Sequence, residues 1–347
     1  MKSITARHAL VAVAATCAAA SSYAQSSVTV YGIADMYLQV GKTNGARGAT
    51  TYKVESGGES GSRLGFRGTE DLGGGLSAIF TLESGVGLDT GAVTQGGVMW
   101  GRQSWLGLQS NSMGKLTLGR QYNFVYNAID NADPFHLGLG SMYASGMITA
   151  VGGARLNNSV VYTSPKIGPM TFGLEGALGE ATTGKMWAAD LRYASGPLAV
   201  EGVYVEKDAY GAQVKAKSLL LNASYDFGFV KAFGLYQEAK DVTQAIGVND
   251  NRQEYFVGAT VPFGGVQSIS ALIGSSKTKS VANSRATEFS LGYQYALSKR
   301  TDLYVIGSLI NNGAATSYTA SGSTGLGPTT VAGQDVRAMQ FGIRHRF

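Results

Sequence analysis

Thiols are all but missing from this chain, whose 347 residues include one cysteine, Cys17. No intrachain disulfide can form and no multi-thiolate metal centre can be assembled. Charge is scarce as well, 15% of residues where about 25% is usual. Long apolar runs are also lacking: the best, Ala9 to Ala20, is about a dozen residues against the roughly 20 a spanning helix needs. A soluble domain of this length would carry more charge, and a helical membrane protein would show several longer runs. Histidine is limited to His8, His136 and His345, too few for most hydrolytic or metal-dependent sites.

What the chain has in excess is glycine, 49 of 347 residues, about twice the usual ~7%, together with period-two alternation. Val28, Val30, Gly32, Ala34, Met36 and Leu38 share a parity against Thr29, Asp35 and Gln39. Leu64, Phe66 and Gly68 oppose Arg63, Gly65, Arg67 and Thr69, and Leu76, Ala78, Phe80 and Leu82 oppose Ser77, Thr81 and Glu83. The pattern returns at Leu219 to Tyr225 and at Phe289 to Tyr295. Strands with one greasy and one wet face, about 9 to 12 residues long, suit tilted crossings of a bilayer by a barrel. Tight-turn chemistry at Asp71–Gly75, Ser110–Gly114, Pro165–Pro169, Ser195–Pro197, Asp226–Gly228, Pro262–Gly265 and Leu297–Arg300 predicts seven short turns. With eight longer loops these join sixteen strands. The fold expected is therefore all-β, a transmembrane antiparallel up-and-down barrel.

Both ends fit such a protein. Lys2 and Arg7, the apolar Ala9–Ala20 and the small-residue site Ser22-Tyr23-Ala24 predict a cleaved secretory leader over residues 1–24 and one barrel domain over 25–347. At the other end Phe341, Ile343 and Phe347 alternate with Gly342, Arg344 and Arg346. This ending resembles the C-terminal signal that outer-membrane barrels present to the barrel-assembly machinery, with His345 a departure on the apolar parity.

Six segments carry a family likeness: Val28-Thr29-Val30-Tyr31-Gly32, Arg63 through Gly73, Leu118-Gly119-Arg120-Gln121-Tyr122, Asn158-Ser159-Val160, Leu297 through Thr301, and Gly342-Ile343-Arg344-His345. In order and spacing they resemble the general porins of β-proteobacteria. The resemblance implies a homotrimer in the bacterial outer membrane, in contact with lipid and lipopolysaccharide. It also implies a water-filled pore for small hydrophilic solutes and inorganic ions, narrowed by a long third loop folded into the lumen, here about 123–156. Neither cofactor, metal, catalysis nor nucleic acid is expected.

Parity then nominates the constriction. Arg63, Arg67 and Arg102 are expected to point inward, with Ser104 inward and Trp105 outward beside Arg102, and Arg155 shares the parity of Asn157 and Ser159. Glu83 and the loop residues Asp130, Asp133 and His136 form the acidic side, with Glu83 also able to pair with an arginine. In Pro134-Phe135-His136-Leu137-Gly138 a histidine stands where related porins carry a glutamate-bearing tip, which favours a more positive, mildly anion-selective eyelet. Arg120 faces outward, where an unpaired arginine in lipid would cost about 2–4 kcal/mol, so a subunit interface with the small residues Gly32, Ala34 and Gly68 is expected for it. Alternatives are a solute-specific porin, an adhesin-like barrel, or a barrel hydrolase built on His136, Asp133 and Ser141.

Overall fold

A computed structural model describes residues 27–44, 50–180, 184–208, 214–244, 249–322, 328 and 330–347. The expected leader lies outside the described residues. Within them seventeen strands follow in order: β1 (Ser27–Thr43), β2 (Thr50–Ser56), β3 (Arg63–Gly73), β4 (Leu76–Gly85), β5 (Gln103–Ser110), β6 (Gly114–Tyr122), β7 (Arg155–Thr163), β8 (Met170–Ala177), β9 (Met186–Ser195), β10 (Leu198–Asp208), β11 (Lys215–Asp226), β12 (Lys231–Lys240), β13 (Arg252–Phe263), β14 (Gln267–Thr278), β15 (Ala286–Ala296), β16 (Thr301–Asn311) and β17 (Val336–Arg346). A helix, α1 (Phe124–Ala132), lies between β6 and β7.

Each strand pairs antiparallel with its neighbour in sequence from β3 to β17, and β17 returns to β1 with Ile33 opposite Arg346 and Thr43 opposite Val336. Gly32 and Phe347 exchange backbone hydrogen bonds of 3.1 Å at the seam. One stave is broken: β2 pairs with the far half of β1 and β3 with its near half, so the seventeen strands make sixteen staves. Residues 57–62 turn inward at the break. Closure matters because an unpaired strand edge in hydrocarbon would leave backbone groups unsatisfied.

All seven short turns fall where turn chemistry predicts. Alternation also divides the faces as expected. Val28, Val30, Leu38, Leu106, Leu118, Leu221 and Leu291 are exposed on the outside, whereas Asp35, Gln39, Thr81, Glu83, Asn222 and Glu254 are buried within the barrel.

Apolar burial is concentrated where the connection 123–154 lines the inner wall. Val125, Ala128 and Ile129 of α1 and Leu139, Met142, Met147 and Val151 beyond it pack among Val203, Leu220, Leu235, Phe256, Leu272 and Ile306. Two wall glycines make room: a Cβ at Gly274 would strike the Met142 sulfur, and one at Gly292 would lie 2.7 Å from the Phe135 ring. Wall carboxylates supply the polar ties. Glu254 accepts from the Thr149 amide and hydroxyl at 2.8 and 2.7 Å, Glu288 from Ser145 at 2.6 Å, Glu201 from Asn131 at 2.9 Å and Glu175 from the Phe124 amide at 3.1 Å. The long loop is thus fastened inside the lumen along the β8–β16 half of the wall.

Candidate pore constriction

With half the wall covered, the open lumen is bounded by the other half. One cavity there is lined by Arg63, Arg102 and Arg155 near the starts of β3, β5 and β7, by Arg344 and Arg346 of β17, and by Asp130 and His136 of the long loop. Arg102 forms an ion pair of 2.8 Å with Glu83 and donates at 2.6 Å to the Tyr122 hydroxyl. Arg155 donates to the same hydroxyl at 2.8 Å and stacks 4.4 Å from the Tyr122 ring centre. Arg63 donates to the Gly61 carbonyl at 2.8 Å. Tyr122 in turn stacks on Tyr126 of α1, with ring centres 4.8 Å apart. Wall cations and loop helix are therefore held in one aromatic stack.

Across the cavity, α1 places the loop's charge. Its cap, Asn123, is fully buried and accepts from the Tyr126 amide at 2.7 Å while its own side-chain amide binds the carbonyls of Val151 and Gly153. That tie joins the start of the loop to its end. Asp130, on the last turn, faces the cavity and meets His136 Nδ1 at 3.2 Å. This contact raises the His136 pKa above its ordinary value, with the Asp130 and Asp133 charges adding and burial opposing. His136 and Leu137 are both left-handed, with φ of 50° and 62°.

Several expectations are corrected. Asp133 does not face the pore; it is fully buried and accepts from the amides of Phe135 and Leu137 at 2.8 and 3.1 Å, and burial pushes its carboxyl up. Glu83 sits among the arginines, where it also accepts from Tyr31 at 2.9 Å, and so belongs to the basic wall. Arg67 does face the lumen, but lies four residues nearer the short turns than Arg63, roughly 13 Å along the strand. It borders a separate space with Trp105 and Lys115, its guanidinium 5.2 Å from the Tyr31 ring centre. Trp105 is directly opposite Thr81 and therefore inward, with Ser104 outward, the reverse of the parity reading. Arg102 precedes β5, so its ion pair and not strand parity sets its position. A bulge sets two residues of β7, Asn157 and Asn158 (φ 53°), against Arg120, which breaks the shared parity of Arg155 and Ser159.

The outward residues are satisfied within the chain. Arg120 donates to the Gly101 carbonyl at 2.8 Å and to Asn157 at 2.6 Å. The space over Gly32 holds the Phe347 ring and that over Gly68 the Phe80 ring, so these two glycines do not leave an open notch for a neighbour. Phe341, Ile343 and Phe347 are exposed on the outer face, and His345, outward as read, meets the Thr301 hydroxyl at 2.9 Å. The three residues named for a hydrolytic triad do not form one: Ser141 is buried against Asp133, while His136 turns to Asp130.

Three participants were missed. Arg344 reaches Glu59 at 2.8 Å and Asp302 at 3.1 Å, and Arg346 reaches Asp302 at 2.6 Å. Their alternation in the terminal strand marks the lipid face but does not name the carboxylates they meet. Glu59, in the inward turn, is raised to about 7 by burial, with Arg344 opposing. Nothing in the sequence marks it.

Known proteins share this arrangement of chain. Residues 9–315 match the family described as Gram-negative porin. Outer membrane porin protein 32 of Delftia acidovorans is 33% identical, over 98% of this chain and all of that protein, and an outer membrane porin protein of Bordetella pertussis is 32% identical over 95% and 96%. Among solved structures, an anion-selective porin from Comamonas acidovorans superposes with a TM-score of 0.80 at 30% identity, covering 93% of this chain and all of that one. OmpT of Vibrio cholerae, at 16% identity and a TM-score of 0.71, shares the fold.

Proposed function

Because this chain belongs to the Gram-negative porin family, an outer-membrane channel and not an enzyme, we propose that its pore prefers anions and that the preference is set by the arginines of the constriction. The observation that carries this is the composition of one cavity: five arginines line it against two acidic residues, Glu59 and Asp130, with His136 beside Asp130. Of those arginines Arg102, Arg344 and Arg346 have carboxylate partners, while Arg63 and Arg155 have none among the described residues. Even against Asp130 these two leave the passage with an excess of positive charge, and in a narrow, poorly screened space that excess attracts anions and repels cations. The printed description of the Comamonas acidovorans structure as anion-selective agrees.

Solutes move passively, since no step of the arrangement consumes energy. The chain is exported by a leader over residues 1–24 and inserted by the barrel-assembly machinery through Phe341, Ile343 and Phe347. It assembles as a homotrimer through the outer face that carries Ala34 and Arg120, and lipopolysaccharide surrounds the trimer. The test is single-channel recording of the refolded mature protein in a planar bilayer across a KCl gradient. Current steps in threes with a reversal potential toward chloride are expected; a potential toward potassium would defeat the anion reading, and correctly folded protein without current would point to an adhesin-like barrel.

A further inference from the structure

The break in the second stave is built around one side chain. Asp35, fully buried on the inner face of β1, accepts from the backbone amides of Gly58, Glu59 and Ser60 at 3.0, 3.0 and 2.8 Å and from the Tyr304 hydroxyl at 2.6 Å. Its backbone holds the ends of the same turn: the Asp35 carbonyl accepts from the Gly57 amide at 2.8 Å, and the Asp35 amide donates to the Ser62 hydroxyl at 3.0 Å. Three successive amides aimed at one point form a concave anion site, here filled by the chain's own carboxylate. A turn so held cannot straighten into the strand on either side.

What this turn does is grip the loop. The Gly58 carbonyl accepts from the Leu139 amide at 2.9 Å, and Gly138 lies so close that an added Cβ would stand 2.6 Å from the Cα of Glu59. The gripped segment immediately follows His136 and Leu137, two consecutive left-handed residues that no glycine relieves. Such a backbone persists only where its surroundings over-determine it. Asp133 restrains the tip from within, and the inward turn restrains it from the opposite wall.

We propose that Asp35 is a positioning residue of the pore: by folding residues 57–62 inward it clamps the tip of the long loop across the lumen, and so fixes the width of the passage between His136 and the arginine wall. The inference rests on the channel reading of the preceding section. Asp35 does not touch the passing solute, and its effect is carried by Gly58, Glu59 and the Gly138–Leu139 backbone.

The experiment compares wild type, Asp35→Asn and Gly138→Ala in planar bilayers, reading single-channel conductance and the size at which neutral polyethylene glycols cease to enter. An asparagine at 35 presents an NH2 group to backbone donors and opens the turn, while Gly138→Ala pushes the tip away and leaves Asp35 intact. Both are expected to raise conductance and shift exclusion to larger polymers, with circular dichroism unchanged. A merely structural role would lower the yield of folded barrel without moving the exclusion size. If Asp35→Asn does not fold, Gly138→Ala alone decides. Folded variants with wild-type conductance and exclusion size would overturn the clamp, whereas a wild type that does not conduct would overturn the channel reading instead.

Discussion

Arg102 and Arg63 stand side by side in the constriction with opposite electrostatic histories. Glu83 cancels Arg102 at 2.8 Å, so the pair contributes little net field, while Arg63 donates only to a carbonyl and keeps its charge. A unit charge about 4 Å from a passing ion is worth about 1 kcal/mol in water-like surroundings, roughly fivefold in the permeability of one ion and, since it attracts the anion and repels the cation, about thirtyfold in their ratio. Arg63→Ser should therefore lower the chloride-to-potassium ratio by up to about this factor. Glu83→Gln should raise it, by uncovering Arg102. Reversal potentials of the two variants under one gradient check both signs, and movement in the same direction would show that Glu83 does not mask Arg102. Only half of this logic was legible in the sequence. Parity put Arg63 and Glu83 inside, but which arginine Glu83 neutralises depends on Arg102 lying just ahead of β5, beyond the reach of alternation.

The strands and turns were readable because side-chain direction repeats every two residues and turn chemistry is local. Where an extra residue enters, as at Asn157–Asn158, or a strand stops short, as at Gln103, the period slips and the reading fails. The loop helix was missed although its signs were present, with Asn123 as a cap before Val125, Ala128, Ile129 and Ala132 at helical spacing. The inward turn 57–62 had no sign, since its cause, Asp35, is 22 or more residues away. The loop tip beyond that helix and the inward turn each carry a group that titrates near neutrality. His136 gains charge as pH falls through a pKa that Asp130 holds above the ordinary 6.5, and Glu59 loses charge as pH falls through about 7. Both changes make the passage more positive, with Asp130, Asp133 and Arg344 as the charged groups around His136 and Asp35, Asp302, Arg344 and Arg346 as those around Glu59. Lowering the pH from about 8 to about 6 should therefore strengthen the anion preference, and His136→Asn should reduce the change. A ratio flat across that interval in wild type would exclude both groups from the field of the pore.

At the scale of the whole barrel, formal charge is a poor guide to selectivity. The chain carries 28 Lys and Arg against 23 Asp and Glu, but much of this is neutralised in place. Lys215 and Lys217 pair with Glu206, Lys279 pairs with Glu238 at 2.7 Å, and Arg346 pairs with Asp302. Four inner-wall carboxylates, Glu175, Glu201, Glu254 and Glu288, are committed to holding the long loop. The long loop covers one half of the wall and leaves the arginine half facing the open lumen. Selectivity should then arise from a few charges acting over the width of the passage. Such a field is felt when the screening length is about 10 Å, near 0.1 M salt, and is largely lost at about 3 Å, near 1 M. With the gradient ratio held constant, the reversal potential should lie clearly toward chloride in dilute KCl and collapse toward zero in concentrated KCl. A potential that does not depend on salt would mean that ions are sorted by pore width or direct binding, and the bare arginines would then not be the cause.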